Sequence, residues 1–210
     1  MAMRKLWSLY ASVRPSEYSL TLRTLFLKAS SRSDYARWRN DRNLHSSWDS
    51  RSELMAQLVP PNSRVLDLGA GHQILRHHLR PSCTYFALDL VARTPETIVC
   101  DLNRRPLPDL RSRYFNVAVL SGVLEYIHDV PSFVRWLTAQ VRICIASYCC
   151  HHPHKSATGD FIRRILRLRS GWVNSLTEGD LVLLFTNAGF RCTKKESWIE
   201  AQTIYVFERG

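Results

Sequence analysis

The stretch Ser63-Arg64-Val65-Leu66-Asp67-Leu68-Gly69-Ala70-Gly71-His72-Gln73 decides the fold of this 210-residue chain. Val65, Leu66 and Leu68 form the short, branched apolar run of a strand buried on both faces, and Gly69 and Gly71 then break it. Glycine costs backbone entropy, so two of them one residue apart at a strand's end mark a place where a side chain would block the turn or a ligand. Residues 74–80 read as a helix with Ile74, Leu75, His78 and Leu79 near one face. Taken alone, this strand, turn and helix fit an ordinary connection as well as a ligand loop.

The next three strands separate those readings. Residues 84–88 form a second buried run ending on Asp89, 20 positions after Gly69. A carboxylate at the tip of the second strand is where nucleotide-binding folds of this kind grip a ribose diol. Thr97-Ile98-Val99-Cys100 ends on Asp101, and residues 114–120 end at Ser121-Gly122. Four successive strands deliver a carboxylate or a glycine to one edge of the sheet, and in open parallel sheets that edge binds ligands.

These residues, with Asp101-Leu102 and the run Asn116-Val117-Ala118-Val119-Leu120-Ser121-Gly122-Val123-Leu124-Glu125-Tyr126-Ile127, resemble the class I S-adenosylmethionine-dependent methyltransferases over roughly residues 50–210. The resemblance implies an α/β fold, a Rossmann-like seven-stranded mostly parallel sheet with helices on both faces, its last strand antiparallel and inserted beside the fifth. It implies S-adenosyl-L-methionine as cofactor, its methionine part along Asp67, Gly69 and Gly71, its ribose on Asp89, and its adenine near Asp101 and Leu102. Ser121 to Leu124 would close on it from the fourth strand. A third glycine, common in the family where Gln73 stands, is absent. A nicotinamide fingerprint would need glycine at the position of Ile74.

The length fits one core of normal size with a terminal extension. Lysine and arginine number 29 against 18 acidic residues, a net charge of +11, which raises the question of an anionic partner. The excess is mostly N-terminal: residues 1–52 carry 10 basic and 4 acidic groups. That distribution argues against a nucleic-acid surface on the core. Six scattered cysteines, at 83, 100, 144, 149, 150 and 192, show neither a disulfide framework nor paired zinc spacing, so reduced thiols and a cytoplasmic location are expected. No apolar run is long enough to span a membrane. Residues 1–31 hold Arg4, Lys5, Arg14, Arg23 and Lys28 among serines and leucines, which suits a transit peptide or a membrane-surface helix. An accessory helical lid is preferred, because Trp7, Tyr10, Tyr18, Tyr35 and Trp38 are aromatics a removable leader would not need. The expected division is a helical extension or lid over 1–47 and a methyltransferase domain over 48–210.

In chain order, helices are expected over 6–14, stopped by Pro15, and over 17–29; residues 33–43 are polar and of open structure. A helix over 48–58 would be capped by Asp49 or Ser50, and Pro60-Pro61-Asn62 ends it. After the fourth strand come a helix over 130–140 with Pro131 in its first turn, a strand over 141–148, a loop over 149–159 and a helix over 160–170. Thr177 and Asp180 make a capping box for a helix stopped by Gly189, and strands over 191–199 and 202–209 finish the sheet.

Methyl transfer from a sulfonium needs alignment and exclusion of water, and a base only if the acceptor must lose a proton. His151, His152 and His154, in the loop after the fifth strand, are the expected candidates for that base. The neighbouring Cys149 and Cys150 tempt a metal reading, but adjacent ligands strain a tetrahedral site and no second cluster completes it, so no metal is expected. An Asp/Asn-Pro-Pro-aromatic run after the fourth strand, a Pro-Cys nucleophile and a two-glutamate loop are all missing, which sets aside amino-methylating nucleic-acid, cytosine-C5 and protein-arginine enzymes. The remaining resemblance is to the small-molecule branch, although Asn174-Ser175-Leu176-Thr177 stands where its members often have Asn-His-Leu-Thr. The expected function is methylation of a small hydroxyl or amine acceptor, with sugars and lipid-linked intermediates among the candidates. The alternative is a non-catalytic subunit that binds the cofactor and uses its basic N-terminus to hold a partner.

Overall fold

The computed structural model describes residues 15–44, 46–199 and 202–210. Seven strands, β1 (Arg64–Leu68), β2 (Thr84–Asp89), β3 (Ile98–Val99), β4 (Val117–Ser121), β5 (Ile143–Tyr148), β6 (Phe190–Ile199) and β7 (Gln202–Arg209), form one sheet. Its order is β3-β2-β1-β4-β5-β7-β6. β1 to β5 run parallel, and β7 lies antiparallel between β5 and β6. The expected Rossmann-like sheet is therefore present, with its last strand beside the fifth.

Strand period explains the two cores. Leu66, Leu68, Ala118 and Leu120 face one side with Phe133, Leu137, Phe185 and Phe207, while Val65, Val117, Val119 and Ile145 face the other with Met55 and Ile204. Both faces are covered, so β1 and β4 read as continuous apolar runs. Burial of each such side chain contributes about 1.5–3 kcal/mol, and Leu66→Ala would cost about 2–5 kcal/mol.

The helices are α1 (Pro15–Ala29), α2 (Tyr35–Arg39), α3 (Asp49–Gln57), α4 (Leu75–His78), α5 (Val130–Gln140), α6 (Ala157–Arg169) and α7 (Glu178–Thr186). The helix expected over 6–14, with Trp7 and Tyr10, lies outside the described residues. α2 occupies part of the polar 33–43 segment, capped by the Asp34 carboxylate on Arg37 N. α5 has Pro131 in its first turn and Asp129 as cap, and α7 carries the Thr177–Asp180 capping box.

Several boundaries moved for local reasons. α3 has Trp48 at its cap position with no side-chain cap bond, because Asp49 accepts from His78 (2.8 Å) and Ser50 from Trp198 (3.0 Å). α6 starts before 160, since Ser156 caps it by accepting from Gly159 N at 3.1 Å. The helix after the glycine turn shortens to one turn, and β4 begins only at Val117 because Tyr114 turns left-handed at φ 54°.

Candidate active site

The carboxyl ends of β1, β2 and β4 open into a cleft of 440 Å³. Asp67, Gly69, Gly71, Asp89, Asp101, Leu102 and Ser121 all line it, so every residue expected to hold the cofactor is gathered at one place. At the turn, Gly69 donates to Leu88 O (2.8 Å) and has φ +68°. A Cβ there would lie 2.6 Å from Val123 Cγ2, so any other residue is strained by the contact as well as by the φ. Gly71 has φ +51°, and its N–H donates to Asp89 Oδ2 at 2.8 Å. Gln73, where the family often has glycine, also turns left-handed at φ 58°; its buried amide reaches Thr94 (3.2 Å) and Thr97 (3.4 Å). The loop thus keeps a glycine-like backbone at that position, held by side-chain bonds.

Asp89 accepts from Val91 N (3.0 Å) with its second oxygen, so the tip of β2 and the glycine turn share one carboxylate. Each oxygen has a further lone pair for a diol. Asp67, 3% exposed, accepts from Tyr85 Oη at 2.8 Å. Burial pushes its carboxyl up to about 7, with the Tyr85 hydrogen bond opposing and Asp89 adding to the rise. Asp101 accepts from Ser33 Oγ (2.6 Å) and Asn103 N (2.9 Å). The third carboxylate therefore also ties the chain's N-terminal part to the sheet edge. A left-handed glycine turn, a carboxylate with lone pairs open to a diol and a buried carboxyl that a cation would ionise suit S-adenosylmethionine.

The N-terminal segment closes over this cleft. Leu27, Arg32, Ser33, Asp34, Trp38 and Leu44 line it. Arg93 donates to Trp38 O (2.6 Å) and pairs with Asp41; Arg37 donates to Ser170 O (2.9 Å), and Trp38 meets Tyr126 edge-on at 4.8 Å.

The far end holds residues that sequence reasoning missed. Arg51 and Glu125, 5% and 1% exposed, line the cleft with Gln202. Arg51 Nη1 donates to Gln202 Oε1 (2.9 Å) and Nη2 to Ser121 O (3.3 Å), and the guanidinium lies 5.3 Å from the Trp48 ring and 5.1 Å from that of Trp198. Glu125 Oε1 accepts from Cys149 N (3.0 Å) and Gln202 Nε2 (3.4 Å). Burial raises the Glu125 carboxyl, against the Cys149 N–H and the charges of Arg51 and Arg167. Burial also lowers Arg51, which Glu125 counters. Nothing local in the sequence marked Arg51 or Gln202, which meet across 151 positions.

The three histidines expected as bases are elsewhere, since none of them lines the cleft. His151 is buried against Asp160 (2.8 Å), whereas His152 and His154 are exposed. The chain past β5 turns away because His151 N bonds Leu176 O at 2.8 Å. His128 does line the cleft; its Nε2 donates to Arg32 O (3.0 Å), which leaves Nδ1 as its proton-accepting atom. The Asn174 position of the Asn-Ser-Leu-Thr run is structural: it bonds Tyr148 Oη (2.6 Å), Leu124 O (2.6 Å) and Ile127 O (2.9 Å).

A protein-family model described as a methyltransferase domain matches residues 35–195, beginning inside the segment expected to be the extension. No curated protein matches the sequence. Among solved structures, the chain is similar to Burkholderia thailandensis 1,6-didemethyltoxoflavin-N1-methyltransferase, solved with 1,6-didemethyltoxoflavin and S-adenosylhomocysteine, at 18% identity, covering 94% of this chain and 91% of that one with a TM-score of 0.60. It is similar to a mitomycin 7-O-methyltransferase at 16% identity (81% of this chain, 56% of that one, TM-score 0.61). For human N-acetylserotonin methyltransferase in complex with SAM the figures are 14%, 83%, 56% and 0.61. The chain spans little more than half the length of the last two, and at these identities the likeness is one of fold.

Proposed function

The chain belongs to the methyltransferase-domain family, and on that premise we propose that it moves a methyl group from S-adenosylmethionine to a hydroxyl or amine of a small-molecule acceptor. The observation that carries this reading is the convergence of Asp67, Gly69, Gly71, Asp89, Asp101, Leu102 and Ser121 on one cleft at the carboxyl edge of the sheet. Three neighbours named for methylating mitomycin, a toxoflavin precursor and N-acetylserotonin support a small acceptor, reached through O or N. Sugars and lipid-linked intermediates fall within that class.

When bound, S-adenosylmethionine supplies a methyl carried on a sulfonium, ready for direct displacement. The chain's own part is placement. Asp89 would hold the ribose hydroxyls while keeping the turn in shape through Gly71 N, and Asp67 would face the methionine end. Asp101 and Leu102 would flank the adenine. The segment from Pro15 to Asn43 acts as a lid, stitched down by Ser33, Arg37 and Trp38, and excludes water from the acceptor side. Among the described residues no helix is long and apolar enough to cross a membrane. The six free cysteines suit a reducing compartment such as the cytoplasm. Peripheral membrane contact through the basic N-terminus is compatible with this reading.

The test is to incubate the full chain with methyl-labelled cofactor and a metabolite panel of phenols, amines, sugars and lipid-linked alcohols. Label appearing in a small molecule supports the function; label retained entirely in the cofactor across the panel, despite cofactor binding, favours the non-catalytic alternative.

A further inference from the structure

The floor of the cleft beyond the cofactor residues holds buried charges that methyl-donor binding leaves unexplained. Among the described residues four buried side-chain atoms have no hydrogen-bond partner, Arg51 Nε, Arg93 Nε, Ser121 Oγ and Glu125 Oε2, and of these Arg51 Nε and Glu125 Oε2 belong to this floor. Their other atoms are held firmly. The Gln202 amide sits between them, accepting from the guanidinium with its oxygen (2.9 Å) and donating to the carboxylate with its nitrogen (3.4 Å), and Cys149 N fixes Glu125 Oε1 at 3.0 Å. A buried polar atom without a partner is costly, more so on a charged group, so two at one cleft wall mark places where a ligand supplies what the protein omits.

The charge count points to the ligand's chemistry. Arg167, 6% exposed, spends its donors on neutral oxygens: Cys149 O (2.8 Å), Tyr148 Oη (3.1 Å) and Asn174 O (3.3 Å). Arg167 stands behind the cleft wall, while Arg51, which lines the cleft, also donates only to neutral oxygens, those of Gln202 and Ser121, and has no carboxylate hydrogen-bonded to it. A guanidinium so placed favours an anion or a group that becomes one. The walls are flat and aromatic: Trp38, Trp48, Tyr126, Trp172 and Trp198 line the same cleft. Rings of this kind prefer a planar partner, stacked or edge-on.

We infer that this floor is the acceptor subsite, that the acceptor is a planar aromatic or heteroaromatic molecule with a ring hydroxyl or N–H, and that Glu125 Oε2 takes its proton while Arg51 holds the resulting anion. The inference rests on the methyl-transfer reading above. The acceptor's O–H or N–H bond breaks, the proton goes to Oε2, and the electron pair stays on the ring atom. That pair forms the new bond to the methyl carbon, and the C–S pair remains on sulfur. Acidity decides between acceptors. A ring hydroxyl, with a pKa near the ~10 of a tyrosine side chain, is within reach of a buried carboxylate helped by a guanidinium, whereas a sugar hydroxyl is too weak an acid.

The experiment uses the full chain saturated with S-adenosylhomocysteine and three phenols, phenol, 7-hydroxycoumarin and 4-nitrophenol, each beside its methyl ether. The phenols should bind at least about tenfold tighter than their ethers. Bound 7-hydroxycoumarin should show the absorption band of its anion at a pH where the free dye is mostly neutral. In Glu125→Gln both the preference and the anion band should disappear, with S-adenosylhomocysteine affinity unchanged within about twofold. The inference is overturned if none of the phenols binds, if the unaltered chain binds phenol and ether alike, or if the dye binds in its neutral form. It also fails if Glu125→Gln keeps the preference, which would make it steric. Failure of the unaltered chain to bind S-adenosylhomocysteine would instead refute the methyl-transfer reading on which the inference stands.

Discussion

Replacing Asp89 by alanine removes one carboxylate from two tasks, and the structure allows each to be weighed. The side chain is 8% exposed and accepts from Gly71 N (2.8 Å) and Val91 N (3.0 Å). Its remaining lone pairs are those assigned to the ribose. Hydrogen bonds to a charged group are worth about 1.5–3 kcal/mol each, and water recovers part of that once the side chain is gone. A net loss of about 2–3 kcal/mol in cofactor binding is expected, or roughly 30- to 160-fold in Kd. Loss of the two backbone bonds also loosens the glycine turn. At about 2–4 °C per kcal/mol for a chain of this size, the melting temperature should fall by a few degrees while the transition stays cooperative. Calorimetric titration with S-adenosylhomocysteine reads the first effect and a thermal melt the second. Asp89→Asn keeps the shape and loses the charge, so its affinity should fall in between. If Asp89→Ala binds S-adenosylhomocysteine as tightly as the parent chain, the assignment of β2's tip to the ribose is wrong.

The same geometry sets five other outcomes. Burial holds the Asp67 carboxyl at about 7, above its unfolded value, so its contribution to stability is full at low pH and is lost as pH rises through 7; the ligand-free melting temperature should fall between about pH 4 and 7 and level off above, and a flat profile across that window would count against it. A cofactor ammonium beside Asp67 favours its ionised form, so affinity should weaken about tenfold per pH unit below 7 and lose that dependence in Asp67→Asn. Gly69→Ala would place a Cβ 2.6 Å from Val123 at φ +68° and should lower the melting temperature; Gly71→Val, whose Cβ meets only Leu44 at 3.5 Å but whose φ of +51° strains a β-branched residue, should lower it too, yet leave a cooperative melt and abolish cofactor binding; unchanged affinity would make that turn purely structural. Deleting residues 1–43 should raise the cofactor Kd only several-fold, through the lost Ser33–Asp101 bond, yet sharply reduce turnover; full activity in the truncated chain would exclude a lid.

The sheet was legible because its signals are local. The continuous apolar runs of β1 and β4, the Thr177–Asp180 box and Pro131 each act over a few residues, and the corresponding elements are present. That Asp67, Gly69, Gly71, Asp89, Asp101, Leu102 and Ser121 meet at one cleft was legible for the same reason, since each sits at or just beyond a strand end. The Arg51–Gln202–Glu125 cluster was not. Arg51, Glu125 and Gln202 come from α3, the turn after β4 and the start of β7, and only folding brings them together. The histidines after β5 misled because the expectation assumed that the chain continues along the sheet edge. The bond from His151 N to Leu176 O and the pair with Asp160 turn it into the body of the protein instead. Similarly, Asp49 and Ser50 have the chemistry of helix caps but serve His78 and Trp198, a tertiary choice that local pattern cannot register.

The central claim is that this cleft holds S-adenosylmethionine with its reactive end toward Glu125. A crystal structure of the chain with S-adenosylhomocysteine tests it most directly. The account predicts ribose hydroxyls within hydrogen-bonding distance of Asp89, the amino acid portion over Gly69 and Gly71 beside Asp67, and the sulfur on the Ser121 side facing Arg51 and Glu125. Ligand bound with its ribose away from Asp89, or with its sulfur turned from the Arg51–Gln202–Glu125 floor, would contradict it.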